Sequence, residues 1–576
     1  MGETKKTNGK KVKYVFISGG VISGIGKGIT SASIALLLKN CGYKVVPLKF
    51  ENYLNLDAGT INPIEHGDPF LCEDGTEGDM DIGTYEKFLS QDMGVTNFVT
   101  MGKIYHTVIE RERRFEYNGE DVEAIPHITD EIIARIDMAA SAGDADIVLI
   151  ELGGTAGEYQ NVFYYEASRQ LTMQRSGDVA HIHVSYVPTP GHLGEPKTKP
   201  TQLSVKTLNS MGIQPDFIVA RCEKNLDDKR KEKLALFCNI PAGHVISNPD
   251  VDSVYKIPII LHDQRIEEKL LEKLGLVYKK HSLTKWQKLI DSIDAPKKKT
   301  LKIGIVGKYF STGEYHLRDS YAALFDAIDH AKWHLGCEVL LSWISAEQIE
   351  KSGTKVLEGM HGIIVPIGWG ERGAEGMIMA ANYAREKKIP YLGLCYGMQL
   401  AIVAYARGVM GWKDANTEEN DKNSKRKVIH IIPRQKELLE SKKFGGSMRL
   451  GGWDAVVKAT SIAGSLYQEF AQSTKVGPNT KIPKLYEYLK KSDLLMTSER
   501  HRHRYEFNDE FLADFEKEGL NISGRSVEEG LCEIIELPKS THPFYLATQG
   551  HPEYKSRPES PHPFFVGLLR ASAEME

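Results

Sequence analysis

The chain has 576 residues, of which 41% are hydrophobic, so it is long enough for two to four domains with sizeable cores. Its formal net charge of −4 gives no reason to expect binding to nucleic acid or to an anionic membrane surface, so local lysines and arginines must meet any anionic substrate. Seven cysteines without a C-x-x-C pair predict neither a disulfide framework nor a zinc site, and they fit a reduced cytoplasm.

Residues 1–12 are polar and rich in lysine, and we expect them to form a disordered tail. They contain no apolar signal core, and Lys6 stands where a myristoylation signal needs Ser or Thr. No apolar run reaches the roughly 18 residues that a membrane-spanning helix needs. The sequence therefore predicts a cytoplasmic protein without a membrane or nucleic-acid partner.

The first half of the chain alternates short apolar runs with helical segments. The predicted buried strands are Tyr14–Ser18, Lys44–Lys49, Ala145–Glu151 and Phe217–Arg221, and an amphipathic helix is predicted at Thr30–Lys39. This alternation is typical of a parallel α/β sheet with helices on its faces.

A glycine-rich segment, residues 18–28, follows the first strand and opens the first helix. Backbone N–H groups of such a turn and the helix N-terminus can bind phosphate, and Lys27 adds a point charge. The spacing differs from a strict Walker A motif, because five residues separate Gly20 from Gly26 and Gly28 replaces the usual Ser or Thr. We interpret the segment as a nucleotide-phosphate site, with a plain glycine-rich turn as the alternative.

Carboxylates suited to Mg²⁺ occur at two places in this half. Residues 73–81 are dense in Asp and Glu, and Glu151 ends an apolar strand. A carboxylate at the C-terminal end of a strand commonly holds Mg²⁺ beside a phosphate loop, whereas a solvated acidic loop is the alternative for residues 73–81. Lys197 and Lys199 place two ammonium groups close together, which suits a second anionic group, although such a pair alone is more often plain surface.

The pattern breaks at residues 283–300, where charged residues and proline predict a linker. A second α/β series follows, with strands predicted at Leu301–Val306, Val339–Trp343, Gly362–Pro366 and Pro390–Leu394. Surface insertions are expected at residues 416–427 and 468–484. The predicted division is a tail at 1–12, a first domain at 13–282, the linker at 283–300 and a second domain at 301–576.

Cys395 closes a predicted strand and precedes a helical run, and His551-Pro-Glu553 follows much later in the chain. A strand-to-helix elbow projects the sulfur beside the N–H groups of a helix N-terminus, which favours the thiolate. His551 can take the thiol proton and return it to leaving ammonia, and Glu553 can orient the imidazole. A free cysteine is most often a small buried hydrophobe. The Gly393-x-Cys-x-Gly-Met-Gln399 context, together with His-Pro-Glu, is instead similar to the class I glutamine amidotransferases.

The loop that supplies the oxyanion hole in that family usually reads Pro-Gly-Gly-x-Gly, and here it reads Pro366-Ile-Gly-Trp-Gly370. Glycine lets a peptide turn its N–H toward the oxyanion. A β-branched Ile367 would restrict that turn, so the sequence allows a slow or strongly gated glutaminase. If the turn is needed, Ile367→Gly should raise glutamine hydrolysis.

Ten dispersed segments match one enzyme family in order: residues 18–28, 64–67, 73–83, 125–129, 151–157, 197–202, 235–239, 252–258, 445–451 and 500–506. Over nearly its whole length the chain thereby resembles the CTP synthase family. The resemblance implies an α/β fold, with an N-terminal P-loop amidoligase domain on a parallel sheet and a C-terminal α/β class I glutaminase domain. The implied reaction converts ATP, UTP, glutamine and water to ADP, phosphate, CTP and glutamate.

The resemblance also implies roles for individual residues. In the glutaminase domain, Cys395, His551 and Glu553 would be catalytic, and glutamine would be bound by Gly368, Gln399, Glu419 and Arg502. In the ligase domain, ATP phosphates would contact Ser23, Gly24, Gly26, Lys27, Gly28 and Lys49; Mg²⁺ would bind Asp81 and Glu151; and UTP or CTP would contact Ser23, Lys197, Lys199, Gln202 and Lys233. His66 would lie near the ammonia passage, and a GTP activator would bind near Arg372. A homotetramer that shares its UTP sites between subunits, further assembly into filaments, and feedback inhibition by CTP are the implied partnerships.

The chain departs most from the family at the pyrimidine nucleotide. The family usually has Asp-Pro where Glu51 and Asn52 stand, Gln in place of Glu123, and Asp and Glu in place of Glu158 and Gln160. These replacements bear on UTP affinity and CTP feedback more than on the reaction itself.

Two other functions stay open at this point. Another P-loop amidoligase fused to a glutaminase, such as a cobyrinic-acid-type amidase, would share both motifs, but residues 197–202 and 500–506 argue against it, and a substrate screen would decide. A non-catalytic assembly or regulatory protein is supported only by Ile367 and the replaced nucleotide residues.

Overall fold

A computed structural model describes residues 11–62, 67–309, 311–312, 315–316, 321–440, 445–477, 486 and 490–575. Residues 1–10 of the predicted tail lie outside the described residues, as do His66 and residues 478–484 of the predicted insertion at 468–484. Among those that are described, no helix is long and apolar enough to cross a lipid bilayer.

The chain divides into two units, and each unit is assembled from two stretches of sequence. The first unit comprises residues 1–58 and 81–290, and the second comprises residues 59–80 and 291–576. The change of unit at 290–291 falls inside the predicted linker, whereas the excursion at 59–80 is an addition to the predicted division. The segment 59–80 shows neither strand nor helix periodicity, so its sequence does not indicate which hydrophobic core it joins. The assignment of residues 13–282 and 301–576 as two domains stays a prediction.

The first unit is built on a seven-stranded sheet in which neighbouring strands are parallel. Its strands are β1 Lys13–Gly20, β2 Val45–Glu51, β3 Phe98–Thr100, β4 Ile147–Leu152, β5 Val179–Tyr186, β6 Phe217–Cys222 and β7 Val245–Pro249. They lie in the order β3-β2-β4-β1-β5-β6-β7. Every residue of β1, β2 and β4 is buried, which explains why these strands are mostly apolar, apart from charged residues such as Lys49 and Glu151. The predicted parallel α/β sheet is confirmed.

Helices cover the strands of this sheet, and helical residues such as Ile104, Ile136 and Leu171 share a buried cluster with Phe16 and Ile150 of the strands. The α-helices in this part of the chain are α1 Lys27–Asn40, α2 Met80–Leu89, α3 Met101–Arg113, α4 Thr129–Ala142, α5 Val162–Gln174, α6 Lys199–Ser210, α7 Asp228–Cys238, α8 Ile257–Asp263, α9 Ile266–Lys273 and α10 Thr284–Asp294. Short helical turns lie at Ala124–Ile128, Tyr159–Asn161, Ala242–His244 and Val254–Lys256.

The second unit contains a ten-stranded mixed sheet. Its strands are β8 Thr300–Gly307, β9 Glu338–Ser345, β10 Gly362–Val365, β11 Tyr391–Leu394, β12 Arg449–Lys458, β13 Thr474–Lys475, β14 Leu494–His503, β15 Asn521–Ser526, β16 Cys532–Glu536 and β17 Tyr545–Thr548. They lie in the order β9-β8-β10-β11-β17-β16-β15-β12-β14-β13. The pairs from β9 to β17 are parallel, and the remaining pairs are antiparallel.

The four strands predicted in this half correspond to β8, β9, β10 and β11, and the α/β fold class is confirmed. The antiparallel half was not predicted. Its strand β14 carries Glu, Arg and His in place of an apolar run, because those charged side chains face buried partners described below.

The helices of the second unit flank this sheet. They are α11 Ala322–Leu335, α12 Ala346–Ser352, α13 Ala374–Lys387, α14 Tyr396–Gly408, α15 Pro433–Glu440, α16 Ile462–Glu469, α17 Leu512–Lys517, α18 Pro552–Lys555 and α19 Pro563–Ala573. Smaller strands form an antiparallel pair at Phe70–Leu71 and Glu77–Gly78, a second such pair at Ser311–Thr312 and Tyr315–His316, and a three-stranded sheet of Ala415–Thr417, Arg426–Ile431 and Tyr505–Phe507.

Candidate active sites

Cys395 occupies the predicted elbow between β11 and α14. Its φ of 51° and ψ of −101° lie outside the regions that non-glycine residues ordinarily adopt, so the turn is strained. The Cys395 N–H donates to the Thr548 carbonyl at 2.8 Å and fixes the turn against β17. Gly397 permits the tight approach of the helix, since a Cβ there would lie 1.9 Å from the Val365 carbonyl oxygen. The sulfur is thus held, buried, at the start of a helix.

His551 and Glu553 follow β17, the strand next to β11, so the sheet brings them to the cysteine. His551 Nδ1 lies 2.8 Å from Glu553 Oε1. Burial alone would lower the pKa of His551, but the Glu553 carboxylate and Cys395 outweigh it and raise the pKa to about 10. With Nδ1 bonded to Glu553, Nε2 is the nitrogen left to exchange a proton with the Cys395 sulfur, and a hydrogen bond between the two side chains contributes to the raised pKa.

Gln549 is a neighbour of the sulfur that sequence reasoning missed. Its Nε2 donates to Cys395 Sγ at 3.5 Å, and its Oε1 accepts from Gln399 Nε2 at 3.2 Å. Gln399, predicted to bind glutamine, also donates to the Tyr505 carbonyl at 3.1 Å. The predicted Gln399 therefore lies one side chain away from the nucleophile. Nothing in the residues around Gln549 distinguishes it except its place two residues before His551.

The loop with the unexpected Ile367 lies beside the cysteine. Ile367 is buried in the same apolar cluster as Cys395, and it is absent from the residues with positive φ. The Tyr321 hydroxyl donates to the Ile367 carbonyl at 3.3 Å, and in a trans peptide this turns the Gly368 N–H to the opposite side. The N–H groups of Gly368 and Tyr396 donate to no described residue and are candidates for an oxyanion hole. The structure thus shows no left-handed strain at Ile367.

Gly368 itself cannot be replaced without a clash, because a Cβ would lie 2.8 Å from Lys308 Cδ and 3.0 Å from Tyr396 Cδ1. Lys308, which the sequence did not single out, donates to the Trp369 and Gly370 carbonyls at 2.7 and 2.6 Å. Burial lowers the pKa of Lys308 to about 8, despite the opposing effect of nearby carboxylates. This lysine therefore fixes the shape of the oxyanion loop.

Glu419, predicted to bind glutamine, accepts from the Gly370 N–H at 2.8 Å and so lies on the same loop. Burial raises the pKa of Glu419, while the Gly370 N–H and Lys308 oppose that rise. Arg372, expected near a GTP activator, pairs with Glu347 at 2.6 Å and donates to the Lys308 carbonyl at 3.0 Å.

Arg502 is fully buried in β14 and faces two carboxylates. Its Nε donates to Glu77 at 2.7 Å, and its guanidinium lies 3.7 Å from Asp68. The third guanidinium nitrogen donates to the Gly59 carbonyl at 3.1 Å, whereas NH1 is buried without a hydrogen-bond partner among the described residues. The carboxylates raise the pKa of Arg502 against the effect of burial. A buried donor that lacks an acceptor is the feature expected of an arginine that awaits a ligand carboxylate.

The acidic segment at residues 73–81 serves two different units. Glu73 pairs with Arg500 at 3.0 Å and Glu77 with Arg502, all within the second unit. Asp81, the residue predicted to hold metal, belongs to the first unit. Neither a single metal-binding cluster nor a solvated acidic loop describes this segment.

The glycine-rich turn after β1 leads directly into α1, as predicted. Gly24 and Gly26 have φ values of 69° and 86°, a conformation that favours glycine. Lys27 donates to the Gly154 carbonyl at 2.8 Å, and burial followed by the Lys49 charge lowers its pKa. Gly28 is needed for another reason: a Cβ there would lie 2.0 Å from Asp81 Oδ1. Glycine at the position where a Walker A motif has Ser or Thr therefore leaves room for the Asp81 carboxylate.

The two predicted metal ligands converge on Lys49. Its ammonium lies 2.5 Å from Asp81 Oδ2 and 2.7 Å from Glu151 Oε1. The Tyr85 hydroxyl donates to Glu151 Oε2 at 2.6 Å. Glu51, one of the family departures, lies 3.1 Å from the same ammonium. Lys49, predicted to meet phosphate, is thus held among three carboxylates beside the turn.

Two further departures contact one another. Asn52 Nδ2 donates to Glu158 Oε2 at 3.0 Å, and Glu158 Oε1 accepts from the Thr155 N–H at 2.7 Å. The replaced residues therefore fit together as a hydrogen-bonded set at the C-terminal ends of β2 and β4.

The predicted UTP residues lie on three segments of the first unit: the glycine-rich turn, residues 197–202 around the start of α6, and α7. Ser23 is exposed in the turn, Lys197 pairs with Glu195, Lys199 begins α6, Gln202 is buried and donates to Thr198 at 3.1 Å, and Lys233 is exposed on α7. No contact recorded within the chain brings Lys233 to Lys197 or Lys199 among the described residues.

Known proteins resemble the chain in both halves. A family model described as CTP synthase N-terminus matches residues 13–276, and one described as glutamine amidotransferase class-I matches residues 316–571. The chain is 44% identical to a CTP synthase of Pyrococcus abyssi over 564 residues, which cover 98% of each protein. It is 45% identical to a CTP synthase of Pyrococcus horikoshii, again over 98% of each. Among solved structures, the glutaminase domain of Trypanosoma brucei CTPS with bound acivicin is 32% identical and covers 48% of this chain and 94% of that chain, with a TM-score of 0.39.

Proposed function

The chain belongs to the CTP synthase family, and from that premise we propose that it makes CTP by amination of UTP, with ATP as energy source and glutamine as nitrogen donor. One observation carries the proposal. A single chain holds a buried cysteine–histidine–glutamate arrangement in one unit and a phosphate loop beside two buried carboxylates in the other. Relatives that match over 98% of the chain leave no support for a cobyrinic-acid-type amidase or a non-catalytic protein.

In the glutaminase half, the Cys395 thiolate attacks the carboxamide carbon of glutamine. The C–N bond breaks as His551 gives a proton to the nitrogen, which leaves as ammonia. Water then attacks the thioester with His551 as base, which releases glutamate and restores the thiol. The N–H groups of Gly368 and Tyr396 stabilise the oxyanion in both steps, since they have no other described acceptor.

The same geometry supports a way to hold the amino-acid end of glutamine. NH1 of Arg502, which lies 3.7 Å from Asp68 and makes no hydrogen bond with the described residues, would bind its carboxylate. Glu419, held by Gly370, would accept from its ammonium group. Gln399 would act through Gln549, because that side chain separates it from the sulfur.

In the ligase half, ATP phosphorylates the C4 oxygen of UTP, and ammonia then displaces phosphate to give CTP. Gly24, Gly26 and the N-terminus of α1 would bind the phosphates through backbone N–H groups, with Ser23 and Gly28 in the same turn. Lys27 and Lys49 would supply the positive charge. His66 would border the passage for ammonia.

The family implies Mg²⁺, and Asp81 and Glu151 fit it. Both carboxylates are directed at one cation, the Lys49 ammonium, and carboxylate oxygens are the ligands that Mg²⁺ prefers. When bound, the metal would neutralise charge on the ATP phosphates. Lys49 would then turn from the carboxylates to the phosphates.

The remaining parts of the proposal concern regulation and assembly. UTP and the feedback inhibitor CTP would contact Lys197, Lys199, Gln202 and Lys233, and the family resemblance implies that another subunit of a homotetramer completes this site. GTP would activate near Arg372, whose contact with the Lys308 carbonyl connects it to the oxyanion loop. The proposed place of action is the cytoplasm.

The test is formation of CTP from UTP and ATP, measured with glutamine and separately with ammonium chloride as nitrogen source. We expect CTP with both, and we expect glutamate to appear only with glutamine. Formation of an amide on another acceptor, with no CTP from either nitrogen source, would contradict the proposal.

A further inference from the structure

Three potential metal ligands lie together in the first unit, apart from the residues assigned above. His262 is near the end of α8, Glu267 is in the first turn of α9, and His281 lies in the segment that follows α9. Each offers one ligand atom, and these atoms all lie within 4.8 Å of one another. The helix–turn–helix of α8 and α9 and the return of the chain after α9 therefore create the cluster.

Two atoms of this cluster have no hydrogen-bond partner. His281 Nε2 and Glu267 Oε2 are both buried without one, in side chains that are 5% and 1% exposed. Buried polar atoms are nearly always satisfied, so each exception needs an explanation. The His262–Glu267 hydrogen bond of 2.5 Å uses only Oε1 of the carboxylate, and it leaves both orphan atoms unexplained. A cation bound between them would satisfy both.

Neighbouring groups hold His281 in place. Cys41, directly after α1, has its sulfur 3.3 Å from His281 Nδ1. The Tyr43 hydroxyl donates to the Val277 carbonyl at 2.6 Å and anchors the same segment. A metal-binding histidine typically bonds its second ring nitrogen to a neighbour that fixes its orientation. Here that bond leaves His281 Nε2 directed at the cluster.

We propose that His262, Glu267 and His281 bind a divalent transition metal, for which Zn²⁺ is the best match, as a structural site. Two imidazole nitrogens and a carboxylate oxygen are ligands that zinc accepts. Zinc bonds of about 2.0–2.2 Å place the ligand atoms of a tetrahedral site about 3.5 Å apart, so side-chain adjustments within the 4.8 Å span of the cluster would seat the ion. Cys41 lies against Nδ1, the ring nitrogen that does not face the cluster, so it orients His281 and is not a ligand.

The metal would join elements that are distant in sequence. It would tie α8 and α9 to the segment after α9, and through Cys41 to the end of α1 opposite Lys27. Because zinc would bind the folded state and not the unfolded one, it should stabilise the protein in proportion to the logarithm of its concentration.

The experiment uses the full chain, freed of metal with a chelator and then equilibrated with Zn²⁺. Bound zinc and the melting temperature are measured for the wild type, for His262→Gln, and for the control His106→Gln, which removes an exposed histidine on α3. The wild type and the control should bind one zinc more than His262→Gln, and zinc should raise only their melting temperatures. Loss of a ligand should lower the affinity for zinc by more than roughly 10- to 100-fold, which is the cost of losing a residue that only orients a ligand. Zinc that binds at Cys395 or elsewhere is present in all three proteins, so it does not contribute to the difference in zinc content between them.

Equal zinc content and equal zinc-dependent shifts in all three proteins would overturn the proposal, as would a wild type that binds no extra zinc. Circular dichroism of the metal-free proteins checks that His262→Gln is folded. Co²⁺ then reports the ligand set: a visible cobalt spectrum that His262→Gln lacks supports the site. The cobalt spectrum of the wild type should lack a near-ultraviolet thiolate band, because Cys41 orients His281 through Nδ1; a band that Cys41→Ser removes would contradict that role.

Discussion

Glu553→Gln tests how much the negative charge of Glu553, which is bonded to His551, contributes to catalysis. The amide keeps the shape of the side chain and can still accept from Nδ1, but it removes the carboxylate that raises the pKa of His551. The rise from 6.5 to about 10 corresponds to about 5 kcal/mol in favour of the imidazolium, shared between Glu553 and Cys395. Burial opposes that rise, so removal of the Glu553 charge should lower the pKa of His551 and weaken the preference for the imidazolium.

The loss should appear in the rate of glutamine hydrolysis. A well-placed general acid and base typically contribute 100- to 10,000-fold, so we expect kcat for hydrolysis to fall by about 100-fold or more at pH 7. CTP formation from ammonia should persist, because it does not use His551. The pH dependence of kcat should also shift, and the direction of the shift can be predicted. A raised pKa keeps the wild-type imidazolium through neutral pH and loses it as the pH rises through about 10, so the basic limb of kcat should move to lower pH in the variant.

The second unit offers a matched control. Glu499 and His562 form another buried pair, in which His562 Nε2 lies 2.8 Å from Glu499 Oε1 and the Tyr467 hydroxyl donates to the same oxygen at 2.7 Å. Glu499→Gln should lower the melting temperature but leave the basic limb of kcat in place. A Glu553→Gln variant with wild-type kcat and an unchanged pH profile would refute the role assigned to Glu553.

Three further predictions follow from single contacts. Lys27→Ala removes charge from the phosphate loop and should abolish CTP formation with either nitrogen source, while basal glutamine hydrolysis persists; ammonia-dependent synthesis near the wild-type rate would place Lys27 outside the ATP site. Ile367→Gly should not raise the rate of glutamine hydrolysis, with or without GTP, because Ile367 shows no positive φ. The lost packing should lower the free energy of unfolding by about 3–5 kcal/mol in a denaturant melt. A variant that hydrolyses glutamine faster without GTP would restore the idea that Ile367 restrains the loop. Tyr321→Phe removes the hydrogen bond to the Ile367 carbonyl and should slow hydrolysis by about 10-fold, with ammonia-dependent synthesis as its internal control; an unchanged rate would show that the peptide is held without it.

The parallel sheets were predictable because their strands are buried on both faces and therefore read as apolar runs. The antiparallel strand β14 was not, since its Arg500 and Arg502 are buried against Glu73 and Glu77. A local hydrophobic pattern cannot show that a charged strand has partners more than 400 residues earlier in the chain. For the same reason, the sequence did not show that the segment 59–80 belongs to the second unit.

The candidate sites divide in the same way. Cys395, His551 and Glu553 lie in short motifs whose geometry the elbow and β17 reproduce, so the sequence alone could propose them. Gln549 and Lys308 have no motif and gain their places through contacts across the fold. The histidine–glutamate cluster of the first unit also escaped the sequence, because its ligands follow no metal-binding spacing and its cysteine is 240 positions from His281.

Two separate chemical sites in one chain are the central claim, and Cys395→Ala tests it most directly. The measurement is CTP formed from UTP and ATP by the wild type and the variant, each with glutamine and with ammonium chloride, after circular dichroism has shown that both are folded. The account predicts that the variant loses CTP formation with glutamine and keeps it with ammonia at close to the wild-type rate, because ammonia reaches the ligase site without the thiol. A folded variant that loses both activities, or one that still makes CTP from glutamine, would contradict it.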